Sequence, residues 1–173
     1  MSLLEALITI IVLAFGILGL AGLQAKMQSA EVESYARSQA LVLVDDMAAR
    51  LNANRTVAAT YVTIDPAGTD DAQPSDCAAT ALGVARDLCE WGNALKGSTE
   101  LAGGTTVGTM IGGRGCIEQL VGVNPPSYRV AVTWQGLSPT VASGIGCAQG
   151  LYGGNDKFRR VVAKVVSIGN GAP

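Results

Sequence analysis

The chain has 173 residues, 12 basic and 14 acidic side chains, and no histidine. A net charge of −2 excludes the basic stripe of an electrostatic nucleic-acid binder, so no nucleic-acid partner is expected. Without His a Ser/His/Asp set is impossible and a reactive Cys lacks its usual base, so the chain reads as a non-enzyme without a cofactor.

The first element is apolar. Ala6 to Leu23 reads ALITIIVLAFGILGLAGL, long enough to cross a bilayer as a helix. Glu5 is the only charged side chain in the first 25 residues. A carboxylate near a bilayer centre costs on the order of 3 kcal/mol, so it demands a named partner. The nearest cation in sequence is the α-amino group of Met1, on the same chain or on a neighbouring copy. A secretory signal would open with basic residues and end at a small-residue cleavage site. Here the first basic residue, Lys26, follows the apolar run. Lys26 and Arg37 flank the side leading to the cysteine-bearing region, against the usual positive-inside bias. Removal of a short basic leader before Met1 reconciles the two, and a processed chain is expected.

The helical pattern continues. Val32, Tyr35, Ala36, Ala40, Leu43, Met47 and Leu51 recur at spacings of three and four. One helix from about Ser2 to about Asn52 is predicted, roughly 75 Å long at the usual rise. Its first half is apolar all round and its second only along one stripe. The expected division is residues 1–25 as a membrane or filament-core helix and 26–173 as a globular domain. That domain includes the amphipathic half-helix, 26–52.

The acids Asp65, Asp70, Asp71 and Asp76 follow in a polar region with Pro66 and Gly68. They read as a solvated loop, because spacing alone shows no converging calcium ligands. Asn54-Arg55-Thr56 fits a glycosylation sequon, a pattern frequent by chance. A second helix is predicted near 80–96, with Val84, Leu88, Trp91 and Leu95 on one face and Gly97 as its stop. Trp91 reads as core. Gly112-Gly113-Arg114-Gly115 lacks the Lys-Ser/Thr ending of a phosphate loop. Strands are predicted over 115–121, over Tyr128–Trp134 with alternating burial, and over 158–168, with Pro125-Pro126 as a turn. The fold class is α+β: a long N-terminal helix packed on a small antiparallel sheet. The four cysteines, Cys77, Cys89, Cys116 and Cys147, lack zinc-site spacing and read as disulfides in an oxidising compartment, with no metal site.

Met1-Ser2-Leu3-Leu4-Glu5-Ala6-Leu7 resembles the mature start of a type IV pilin. The continuation GILGLAGLQAKMQSA, the stretch from Cys77 into ARDLCEWGNAL, Gly115-Cys116-Ile117 and SYRVAVTWQGL are similar to the PilV-type minor pilins. Met at the first position departs from the family's usual Phe. The resemblance implies a prepilin peptidase as a transient partner, methylation of the new amine, and residence in inner-membrane lipid with the domain in the periplasm. It further implies extraction by the assembly machinery into an extracellular pilus beside other pilins and minor pilins. In that setting Glu5 neutralises the N-terminal amine of Met1 on a neighbour. An α-amine titrates at about 8, so it is available as a cation, and an acid in a dry bundle must be paired. The implied role is a structural subunit that primes assembly or contributes to adhesion. The alternatives are a major pilin, a type II secretion pseudopilin, or an anchored periplasmic binding module that never polymerises.

Gly16, Gly19 and Gly22 each weaken a helix by roughly 1 kcal/mol relative to Ala. Close helix packing, local loosening during assembly, and plain tolerance all fit; the resemblance favours loosening. The predicted second helix constrains the cysteines. Twelve residues of regular helix would separate Cys77 from Cys89 by about 18 Å, whereas a bridge needs Cα atoms within about 7 Å. Either that helix starts well after Cys77, or the pairs cross between segments. Of the three connectivities, Cys77–Cys89 with Cys116–Cys147 is preferred.

Overall fold

The computed structural model describes residues 2–97, 101–102, 105–106 and 110–169. Met1 therefore lies outside the described residues. In chain order the elements are α1 (Leu3–Ala53), a 3₁₀ segment (Arg55–Tyr61), β1 (Ala67–Gly68), α2 (Val84–Leu95), β2 (Leu101–Ala102) and β3 (Thr105–Thr106). They continue with β4 (Arg114–Leu120), β5 (Ser127–Gln135), a short 3₁₀ turn (Asp156–Phe158) and β6 (Arg159–Ser167). Strands β1, β4, β5 and β6 form one antiparallel sheet in that order, and β2 pairs with β3. The arrangement is α+β, a long helix packed on a four-stranded antiparallel sheet.

The chain divides into two compact units, 1–34 and 35–173. In the first, every described residue from Ser2 to Val32 is exposed. The division falls beyond the 25/26 boundary read from composition. Val32 and Tyr35 belong to the sequence-predicted stripe, yet both are about half exposed. The face that the second unit buries is Ala36, Ala40, Val44, Met47, Ala48 and Leu51. These residues recur at three- and four-residue steps, so they form one side of the helix.

The period-two pattern of β5 supplies the opposing wall. Tyr128, Val130, Val132 and Trp134 join α1 in the main core, together with Tyr61, Trp91, Leu95, Ile117 and Val166. Ala131 faces the other way and packs with Cys147, Ala148 and Tyr152 in a smaller cluster, as expected from alternation along a strand.

Helix α2 begins at Val84 rather than near 80. Gly83 has φ +99, a conformation most side chains avoid, and the segment before it is held as a turn. The Arg86 guanidinium donates to the carbonyls of Ala78 and Thr80. Gly97, at φ +74, ends the helix, with its N–H on Ala94 O. Strand β4 runs from Arg114 to Leu120, and Val121 already stands in solvent.

The glycine-rich run before β4 is a packing surface. A Cβ on Gly115 would lie 2.2 Å from the Trp91 ring, and one on Gly113 would lie 2.4 Å from Leu95 O. Only bare backbone lets α2 approach this closely. Trp91, fully buried, donates its indole N–H to Leu43 O at 3.0 Å, so α2 is tied to α1 as well.

Candidate functional site

Glu5 sits in the first turn of α1 and is exposed. Its N–H donates to Ser2 O at 3.0 Å, and Thr9 Oγ1 donates to Glu5 O at 3.0 Å. Its carboxylate has no ion pair among the described residues. The expected pairing of Glu5 with the Met1 amine falls on a residue outside that description. Gly16, Gly19 and Gly22 all lie within α1, which runs unbroken through them. A Cβ at any of the three would meet nothing within 4 Å, so no contact among the described residues requires glycine there.

All four cysteines are paired, Cys77 with Cys89 and Cys116 with Cys147. Cys89 lies in the second turn of α2, and the late start of that helix leaves Cys77 free to fold back on it. The Asn93 amide donates to Cys77 Sγ at 3.2 Å and to Pro74 O at 2.9 Å, which closes the pocket around the bond.

The second disulfide lies in a different setting. Thr63 stands against Ile117, with its N–H on Ile117 O at 3.0 Å and its Oγ1 accepting from the Ile117 N–H at 3.0 Å. Ala67 stands against Gly115. Residues 64–66 therefore oppose only Cys116, and the chain bows away from the sheet edge. The bow opens a groove of about 330 Å³ walled by Cys116, Cys147, Ile64, Ile145 and Leu151, with Glu118 at its side. Neither the groove nor the bow has a signal in composition.

Of the four loop acids, Asp70, Asp71 and Asp76 are engaged individually. Asp70 pairs with the buried Arg114, and Asp71 pairs with Lys96 while accepting from the N–H groups of Gly68 and Gln73. Asp76 accepts from the Ala78 N–H at 2.8 Å. Among the described residues no group of three or more potential ligands could hold a metal ion. In the sequon, the Asn54 amide donates to Arg50 O and Tyr61 Oη, so its nitrogen is committed to the fold.

An ion network at the end of α1 has no counterpart in the sequence reading. Arg50 donates to Asp46, Asp87 and Glu90, at 2.8–3.0 Å. Burial alone would lower its pKa, but Glu90, Asp87 and Asp46 more than offset that and raise it. Tyr61 donates its hydroxyl to Asp87, and its pKa is pushed up to about 12, by burial first and by that carboxylate next. The adjacent Arg159 and Arg160 also act internally. Arg159 is fully buried and donates to Ser143 O, Ile145 O and Cys147 O. Arg160 donates to Ser138 O, Thr140 Oγ1 and Lys157 O. Asp156, beside Arg159, is held below the ordinary carboxylate range, chiefly by the Gly150 N–H.

No family model, no curated protein and no solved structure matches this chain.

Proposed function

We propose that the chain is a structural filament subunit, a PilV-like minor pilin of a type IV pilus. In this reading it is held in the inner membrane with its disulfide-bonded domain in the periplasm until assembly. The observation that carries the reading is α1 itself. Its first part has a continuous apolar surface that is exposed among the described residues, while its last part is the spine of a folded domain. So much exposed apolar surface in a folded chain marks a lipid or protein contact. Lipid satisfies it before assembly, and the helices of other pilins satisfy it afterwards. Glu5 then pairs with the N-terminal amine of a neighbouring subunit, and the chain does no chemistry of its own.

Mass spectrometry of sheared, purified filaments tests this. The expected result is this chain at low abundance relative to a major subunit, with a methylated Met1 amine. A high abundance would point to a major pilin. Retention in the membrane fraction, with none in filaments, would establish a non-polymerising anchored domain instead. Glu5→Gln should reduce incorporation while leaving domain unfolding unchanged; normal incorporation of that variant removes the pairing role.

A further inference from the structure

We infer that the Cys116–Cys147 disulfide is a thiol–disulfide exchange site, open to a small thiol in the folded protein, and that Cys77–Cys89 is not. This inference is independent of the proposed assembly role.

The two bonds differ in what surrounds them. Cys89 is wholly buried, and the sulfurs of its bridge lie under the Pro74 carbonyl and the Asn93 amide. Cys116 is only partly buried. It lies where the 64–66 bow leaves the edge of β4 uncovered, and both of its bridge's residues wall the groove. A groove of about 330 Å³ admits a thiol of amino-acid or small-peptide size at its mouth. Exchange requires such access, because the attacking thiolate must reach a sulfur atom directly.

The surroundings also choose which sulfur is attacked. Cys147 is more buried than Cys116, and its backbone carbonyl accepts from the Arg159 guanidinium at 3.0 Å. Cys147 Sγ lies 4.0 Å from the Ala131 carbonyl oxygen in the smaller core cluster, so the partly buried Cys116 is the side of the bond that a thiolate can reach. The incoming thiolate therefore attacks Cys116 Sγ. The Cys116–Cys147 bond breaks, a mixed disulfide forms on Cys116, and the electron pair leaves on Cys147 Sγ. A second thiolate attacking the mixed disulfide releases Cys116 as a thiolate and carries away the oxidised small-molecule disulfide. The net change is a two-electron reduction of the protein by two thiols.

The fold is built to survive the open form. Arg159 holds Ser143, Ile145 and Cys147 through their carbonyl oxygens, contacts that do not pass through the sulfurs. Cys147 therefore stays near Cys116 after cleavage, and the bond can close again.

Reduced glutathione tests the inference on the full-length chain in detergent micelles. Samples are quenched by alkylation at intervals and mapped by peptide mass spectrometry. Cys116 and Cys147 should take the label at least about tenfold faster than Cys77 and Cys89, since exposure governs access. Trapped glutathione should be found on Cys116. Leu151→Trp narrows the groove from a half-exposed position, so it should slow opening of Cys116–Cys147 and leave Cys77–Cys89 unchanged. Equal rates, earlier opening of Cys77–Cys89, glutathione on Cys147, or no opening short of unfolding would each overturn the inference. An unaltered rate in Leu151→Trp would overturn the role of the groove.

Discussion

The two ends of α1 share one backbone geometry and satisfy different demands. Up to Val32 no described residue is buried, whereas six residues between Ala36 and Leu51 are. Helix propensity separates these halves only at Gly16, Gly19 and Gly22, and the helix runs unbroken through all three. The difference lies in what covers them. The second half is covered by β5, β6 and α2 within its own chain, and its stability belongs to the domain. Among the described residues the first half, up to Val32, has only its own hydrogen bonds, and isolated helices draw little net stability from those.

Substitutions on either side should therefore differ sharply. Trp91→Ala removes the fully buried ring that ties α2 to α1, and should cost the domain about 3–5 kcal/mol in urea unfolding. Leu18→Ala, in the exposed half, should leave that transition where it is. A comparable loss from Leu18→Ala would erase the distinction. Gly115→Ala attacks the same joint from the other side. Its new methyl group would displace the Trp91 ring, for a smaller loss of about 1–3 kcal/mol.

A pH series probes the end of α1. An unfolded Tyr titrates at about 10, whereas folded Tyr61 is pushed up to about 12. The unfolded state thus releases its proton first. The stability that Tyr61 contributes is intact below about pH 10 and declines until the folded group itself ionises near about 12. Denaturant midpoints should fall across that window, and Tyr61→Phe should flatten its share of the fall. The smallest effect belongs to Lys164→Ala. Lys164 bridges β6 to Asp45 of α1, but both partners are more than half exposed, so the loss should not exceed about 0.5 kcal/mol.

Sequence periodicity located both long helices and the three longer strands, because each carries a strong repeat over many residues. The face of α1 was legible from Ala36 onward, and misread at Val32 and Tyr35. Spacing records which side of a helix a residue occupies and not whether anything covers it. The start of α2 was misplaced because the Ala78–Gly83 turn depends on Arg86 reaching back to two carbonyls. The role of the glycines at 113 and 115, to admit Leu95 and Trp91, is visible only once α2 is docked. The groove beside Cys116 arises from a register offset between two hydrogen-bonded anchors. The Arg50 network joins residues some forty positions apart. Neither leaves a local pattern. Glu5 is the reverse case, since it stood out in the sequence at once and gains no partner within the described chain.

Arg159 and Arg160 govern the loop from Ser138 to Cys147 almost entirely through main-chain oxygens, Thr140 Oγ1 excepted. A carbonyl is common to every amino acid. The outward side chains Val141 and Ala142 can therefore be exchanged with little disturbance to the path of the chain. Shape is held there by two arginines while the outward side chains are left unconstrained. Such a loop can exchange its outward side chains without rebuilding the domain beneath it.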